Sequence, residues 1–298
     1  MQGEAFARFL AATGHRVVRT ASSYWYDASR FCFLSQPSHQ LLSPSADELQ
    51  QVWREGRCWG VRFPAPVEGR GKASYQIVCD DRTYDIERLS ANLRSKVRRG
   101  LRRCEVGPIA FADLAARGMA ADRDTLARQG RAVRLSGEGW SRYWTAAAET
   151  AGMEAWAASV SGEIAAFLVT VQFDDSVEFL LARSRSDLLD AYPNNALIFH
   201  VTRVMLVDRG IREITFGLES LEPVGPLDQF KFSMGFRKRP IRQRVVFHPM
   251  MRALVRPQML RTAVYRWADR FGADGAFWRK TAGLVRFAED GGLEQLGG

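Results

Sequence analysis

Apolar positions recur along this chain with two periods, and each change of period marks an element. Behind a Pro193-Asn194-Asn195 start, Leu197, Val201, Val204 and Met205 recur at helical spacing. Arg209-Gly210 then gives that helix a basic last turn and a stop. Ile211 to Leu218 reads as a strand, apolar at Ile211, Ile214, Phe216 and Leu218, with Gly217 breaking its end. A loop rich in Pro, Gly and Glu follows, then a short helix from Asp228 to Met234 closed by Gly235-Phe236, and a last strand from Arg242 to Phe247. Upstream, Glu154 to Val160, Glu163 to Phe173 and Val177 to Arg183 form a three-strand run. Ser161-Gly162 is the two-residue hairpin turn between the first pair, and Asp174-Asp175 turns into the third.

The first 80 or so residues alternate in the same way. Phe6, Phe9 and Leu10 define a short helix; Val17-Val18, Tyr24 to Tyr26 and Phe31 to Leu34 are strands. Ser45 to Glu48 is a helix start, Gly56 its end, and strands follow at Trp59 to Phe63 and Tyr75 to Cys79. Asp85 to Arg103 carries Ile86, Leu89, Leu93, Val97 and Leu101 as one continuous apolar stripe, which predicts one unbroken helix. Its other faces hold Arg94, Lys96, Arg98, Arg99, Arg102 and Arg103, either a solvated surface or a phosphate-binding one. Phe111 to Arg131 and Glu138 to Ala151 are predicted helices. Past Pro249, Leu260, Val264, Trp267 and Phe271 line one face of a helix with Arg261, Arg266 and Arg270 beside it. Packing on its own domain is the expectation for that stripe, and peripheral membrane contact through this tail the alternative. The fold class is α/β with a mixed sheet.

Composition narrows the partners. A net charge of +9, mostly from arginine, suits phosphates, nucleic acid or an acidic surface, unless it only reflects Arg-rich usage. Cys32, Cys58, Cys79 and Cys104 lie far apart without a C-x-x-C pair, which argues against zinc and a disulfide framework and for buried thiols in a reducing cytoplasm. His15, His39, His200 and His248 have neither metal spacing nor a nucleophile partner, so no metal is expected. Glu4 and Arg8 make the first twelve residues a poor signal peptide, and no stretch approaches 18 uninterrupted apolar residues. There is no G-x-S-x-G, P-loop or Rossmann glycine pattern.

Two helices, an antiparallel meander, a helix, a strand, a helix and a final strand follow the order of a GNAT-type N-acyltransferase domain. The phrase LSANLRSKVRRGLRR before CEVGPI, and Phe230-Lys231 before Gly235-Phe236, resemble the linker helix and the ending of FemAB-like double-GNAT transferases. That resemblance covers roughly residues 84 to 248. It implies a partial N-terminal GNAT-like unit with a basic linker helix (1–104), a complete GNAT-like domain (105–248) and a basic helical tail (249–298).

It also implies a chemistry. In such a domain an acyl donor enters where the fourth and fifth strands part, and an amine attacks once a base has taken its proton. The resemblance makes Lys231 a cation at the developing oxyanion. Glu219 becomes the candidate base, with Glu178 and Asp228 competing or contacting substrate. Tyr192 is the only nearby candidate acid, Phe230 an anchor for Lys231's helix, and Arg183, Pro193, Asn194 and Asn195 the donor-binding group. Asn194 and Asn195 are read first as helix caps, then as ligand contacts. The family's glycine-rich phosphate loop is absent, since residues 184–195 contain no glycine. The expected activity is transfer from acyl-CoA, or an acyl carrier protein, to a small-molecule or peptide amine. Aminoacyl-tRNA as donor is the alternative, and a degenerate binding or scaffold protein the other.

Overall fold

The computed structural model describes all residues except 1, 30, 132–134, 136, 222–224, 256, 271–275 and 291–298. The chain falls into two compact units, interleaved in sequence. The first comprises Met1–Thr13, Ile77–Gly217 and Gly225–Arg237, the second Gly14–Gln76, Leu218–Val224 and Lys238–Gly298.

In the first unit the strands run in the order β5 (Lys72–Cys79), β10 (Glu213–Leu218), β9 (Ser176–Ser184), β8 (Glu163–Phe173), β7 (Met153–Val160), β6 (Glu105–Pro108). β6 to β9 pair antiparallel, and β9 pairs with β10 in parallel. β8 is buried along nearly all its length, so it reads as an apolar run rather than an alternation. Phe167 meets Trp144 of α6 (Glu138–Ala148) on one face, and Phe173 meets Phe6 of α1 (Gln2–Ala12). The other face, carried on by Trp156 opposite Leu168, meets His200 of α7 (Pro193–Arg203). The Ser161-Gly162 turn has both residues at positive φ, the backbone a two-residue hairpin needs.

Two helices predicted as continuous are broken. The stripe from Asp85 to Arg103 splits into a short 3-10 turn, Ile86–Arg88, and α3, Ala91–Arg103. Asp85 caps the turn by accepting from the Glu87 N–H, Leu89 leaves it in extended backbone, and Ser90 starts the next helix. The apolar period survives the break, so periodicity alone hides it. Leu101, the last member of the predicted stripe, is exposed; Gly100 instead faces α7. Likewise Phe111 to Arg131 divides at Gly118 into α4 (Phe111–Arg117) and α5 (Met119–Arg128).

The second unit orders its strands β1 (Val17–Arg19), β2 (Tyr24–Ser29), β3 (Cys32–Gln36), β4 (Gly60–Ala65), β11 (Arg237–Phe247), β5. Trp25, Phe33, Phe63 and Val61 form its core with Leu49, Val52 and Trp53 of α2 (Ala46–Gly56). Ser45 and Glu48 make the full capping box that the sequence predicts. Gly56 lies so close to the Phe33 ring that a Cβ there would sit 2.6 Å from it. Among the described residues three helices follow β11: α9 (Pro249–Val255), α10 (Gln258–Arg270) and α11 (Ala276–Asp290).

Candidate functional site

The first unit's sheet contains a fork. β9 pairs with β8 over its whole length, from Phe173↔Ser176 to Ala166↔Ser184. With β10 it pairs over only three residues, Ser176↔Glu213, Val177↔Ile214 and Glu178↔Thr215. Beyond Glu178 the two strands part. The β8–β9 register also shifts between Val169 and Thr170, leaving Leu180 as an extra residue on β9. Such a bulge bends a strand and increases its twist, which helps carry β9 away from β10.

The backbone beyond the fork is open on one side. The Arg185 N–H bonds the Ala165 carbonyl, 2.9 Å, toward β8. Alternation along the ladder then points the Ala182 N–H the other way, toward the gap. Ala182 is exposed.

At the fork stand Phe179 and Phe216, the first residues after the last pair, with ring centroids 5.0 Å apart and edge to face. Phe236 joins Phe216 at 4.7 Å. Lys231, on α8 (Gly225–Ser233), places its Nζ 5.3 Å from the Phe216 centroid and 2.9 Å from Asp228 Oδ1. Both partners are mostly enclosed, with side-chain exposures of 16% and 14%. The result is a fixed ammonium over an aromatic floor where two strands separate. Glu178, buried one residue before the fork, leaves the sheet on the face opposite Phe179.

α7 starts close by, and its entry is unusual. Tyr192 precedes Pro193 in left-handed backbone, φ 58°, and makes no side-chain cap. Neither asparagine caps the helix, contrary to the sequence expectation. Asn194 Nδ2 donates to Ser184 Oγ, 3.1 Å, and Asn195 Nδ2 to Met234 Sδ, 3.8 Å. Ser184 is further held by Thr125 and Arg128 of α5.

The loop between β9 and α7 contains the decisive substitution. An anion-binding loop offers backbone N–H groups to a phosphate. Here the Ser186 N–H and Oγ–H are both taken by Asp124, at 2.6 and 2.7 Å. These bonds, the N–H first, hold the Asp124 carboxyl below the usual range. The chain's own carboxylate thus takes up these two donors.

Residues 91–231 match the family model described as acetyltransferase (GNAT) domain. Over this stretch the chain is similar to a GNAT acyltransferase domain, and solved structures show the same fold. The C-terminal domain of a candidate lysylphosphatidylglycerol synthetase from Agrobacterium fabrum is 12% identical, with a TM-score of 0.55 over 85% of this chain and 92% of that one. FemX is 10% identical, TM-score 0.55, over 83% and 91%. L-PGS from Bacillus licheniformis is 15% identical, TM-score 0.52, over 80% and 86%. These likenesses in fold extend well beyond the matched 141 residues (231 − 91 + 1). None of the curated proteins compared has a matching sequence.

Within the GNAT-like domain the expected site residues fare unequally. Lys231 and Asp228 pair at the fork, Glu178 leaves β9 one residue before it on the opposite face of the sheet, and Tyr192 and Pro193 open α7. Among the described residues the Tyr192 hydroxyl has no hydrogen-bond partner. Arg183 does not belong with them: its guanidinium pairs with Asp122 of α5 at 2.6 Å, in a mostly buried ion pair. Phe230 is not the anchor of α8 either. It is half-buried, whereas Met234 is fully buried, with its carbonyl bonded by the Tyr84 hydroxyl at 2.8 Å. Lys231 is therefore turned inward, not away from the core.

Glu219 belongs to the second unit. Ser74 Oγ donates to its carboxylate at 2.6 Å, and Gln243 Nε2 donates to Ser74 at 2.7 Å. Its backbone carbonyl accepts from Arg62 at 2.6 Å. Burial pushes the Arg62 pKa down to about 10. On the basic helix, Arg94 and Arg98 both reach Glu87, at 2.9 and 2.7 Å, while Arg99 and Arg102 are exposed. Asp124 escaped the sequence reading, because nothing local links it to a loop 62 residues on.

Proposed function

We propose that this protein transfers an aminoacyl group from charged tRNA to an amine. The observation that carries the reading is Asp124 seated on Ser186, which takes one of the loop's N–H groups and its hydroxyl from any phosphate, while β9 and β10 stand apart beyond Glu178. A donor held by its nucleic acid, not by an ADP moiety, suits that arrangement. The net charge of +9, the exposed Arg99 and Arg102, and the Phe230-Lys231 feature of FemAB-like transferases support it. One structural neighbour is the C-terminal domain of a candidate lysylphosphatidylglycerol synthetase, whose name joins a lysyl group to a lipid.

In this reading the ester carbonyl lies at the fork, its oxygen toward Lys231 Nζ. The amine arrives with its proton already lost to solvent and attacks the carbonyl carbon. The oxyanion of the tetrahedral intermediate is stabilised by Lys231, which Asp228 keeps charged and in place. The intermediate collapses with cleavage of the C–O bond; the Tyr192 hydroxyl protonates the departing ribose oxygen and recovers its proton from the nitrogen of the new amide. Aromatic walls keep water from competing with the amine.

A second reading is favoured by the Ala182 N–H, which points into the gap and suits the amide-bearing arm of a CoA or carrier-protein thioester. Purified protein given charged tRNA, a panel of acyl-CoA esters and an acylated carrier protein, each with an amine mixture, separates the two. Product formed from charged tRNA and abolished by RNase supports the proposal. Product from thioesters alone, insensitive to RNase, replaces it with the second reading. No product from any donor points to a binding protein.

A further inference from the structure

The tail of the second unit presents its apolar stripe outward. On α10, Met259, Leu260 and Trp267 are 85%, 46% and 48% exposed, and on α9 Met250 is 74% exposed. With 100° per residue, Met259, Leu260 and Trp267 fall within about a third of the helix circumference. Tyr265 lies on the other side of the helix, where Arg286 of α11 stacks over its ring at 5.6 Å. α10 thus packs inward through an aromatic-cation contact and leaves its large apolar side chains facing solvent. The sequence expectation that the stripe packs on its own domain holds only in part: Val264 is half-buried, while Leu260 and Trp267 keep about half of their surface exposed. Phe271, the fourth predicted member, lies outside the described residues.

Arg266, exposed, borders the stripe on the Met259 side, and Arg270, also exposed, lies within it about 20° from Met259. Residues 249–270 contain five arginines and one aspartate. An exposed apolar stripe with tryptophan, edged by cations, matches the pattern of a helix lying in a membrane interface. Long arginine stems keep their charge among headgroups while the stem covers apolar surface. Among the described residues no helix is long and apolar enough to cross a membrane, so the contact is one of surface. We propose that α9 and α10 dock this protein on an anionic lipid bilayer, with Met250, Met259, Leu260 and Trp267 entering the headgroup region and Arg266 and Arg270 meeting lipid phosphates. The charge selects the occupant: a second copy of this chain would bring the same arginines against themselves.

The test is co-sedimentation of the full chain with vesicles of phosphatidylglycerol and phosphatidylcholine, against phosphatidylcholine alone. Binding to the anionic vesicles only, weakening as salt rises, is expected. Arg266→Glu with Arg270→Glu should weaken it about thirtyfold or more, from roughly fivefold per arginine near a charged surface. Met259→Ser with Leu260→Ser and Trp267→Ser should weaken it at least tenfold, with an unchanged circular dichroism spectrum. Tryptophan emission should shift to the blue on binding in the native protein and shift less in Trp267→Phe. The proposal is overturned if the native chain ignores anionic vesicles, or if the apolar triple variant binds them as well as the native chain. It is equally overturned if the stripe variants instead abolish a lipid-free dimer or binding to RNA.

Discussion

Lys231 is half of a pair, and that changes what its removal does. The sequence places a lysine behind Phe230 and suggests an outward cation whose loss leaves stability untouched. With Asp228 2.9 Å away and both partners mostly enclosed, Lys231→Met strands a carboxylate. Breaking a fully buried pair costs about 3–5 kcal/mol, and this partly exposed one less. We expect a fall in Tm together with a loss of about a hundredfold or more in turnover, the size seen when an oxyanion donor is removed. Adding Asp228→Leu to Lys231→Met should restore much of the Tm and none of the turnover. Normal turnover in the double variant would make the pair purely structural. The lysine's type was legible in the sequence; its direction was not, because the buried anchor is Met234, three residues on.

Most elements were legible, since hairpin turns, capping box and strand alternation are local signals. What distant parts of the chain decide was not. Gly100 is one such point: a Cβ there would lie 2.7 Å from the Tyr192 carbonyl and 2.9 Å from the Ala196 Cβ. Alanine for glycine inside a helix normally gains about 0.5–1 kcal/mol. Here we expect the opposite sign, because α3 and the left-handed entry of α7 would have to move apart; urea denaturation of Gly100→Ala decides it. The Asp124 clasp is another. Its folded pKa lies below the ordinary aspartate value of 3.8, so the clasp's stabilisation is complete above that value and is lost as pH falls through the folded pKa. Asp124→Asn should therefore narrow the stability difference between neutral and acid solution, with the effect setting in below about pH 5. Parallel acid profiles for the two proteins would mean that the clasp contributes nothing. If the clasp also bars pyrophosphate, Asp124→Asn should tighten binding of free CoA, measured by calorimetry.

At the scale of the molecule, both units hide their thiols. Cys32 and Cys58 lie in the second unit, Cys79 and Cys104 in the first, and all four are buried. Burial pushes Cys32 up to about 12 and Cys58 and Cys79 up to about 11, and raises Cys104 as well. The thiolate is the reactive form, so access and ionisation both oppose reaction. Native protein at pH 8 should resist an aromatic disulfide reagent for hours and react at four sites in denaturant; fast labelling of any native thiol contradicts the buried arrangement. The fork has a consequence of its own. A sheet interrupted part-way along one strand holds an amide, Ala182, whose hydrogen is shared with water only while the gap stands empty. In deuterated solvent that position should exchange quickly, against slow neighbours bonded to β8, and should slow when a ligand supplies an acceptor. The isotope content of one peptide spanning β9 would then report occupancy for any donor, before its chemistry is known.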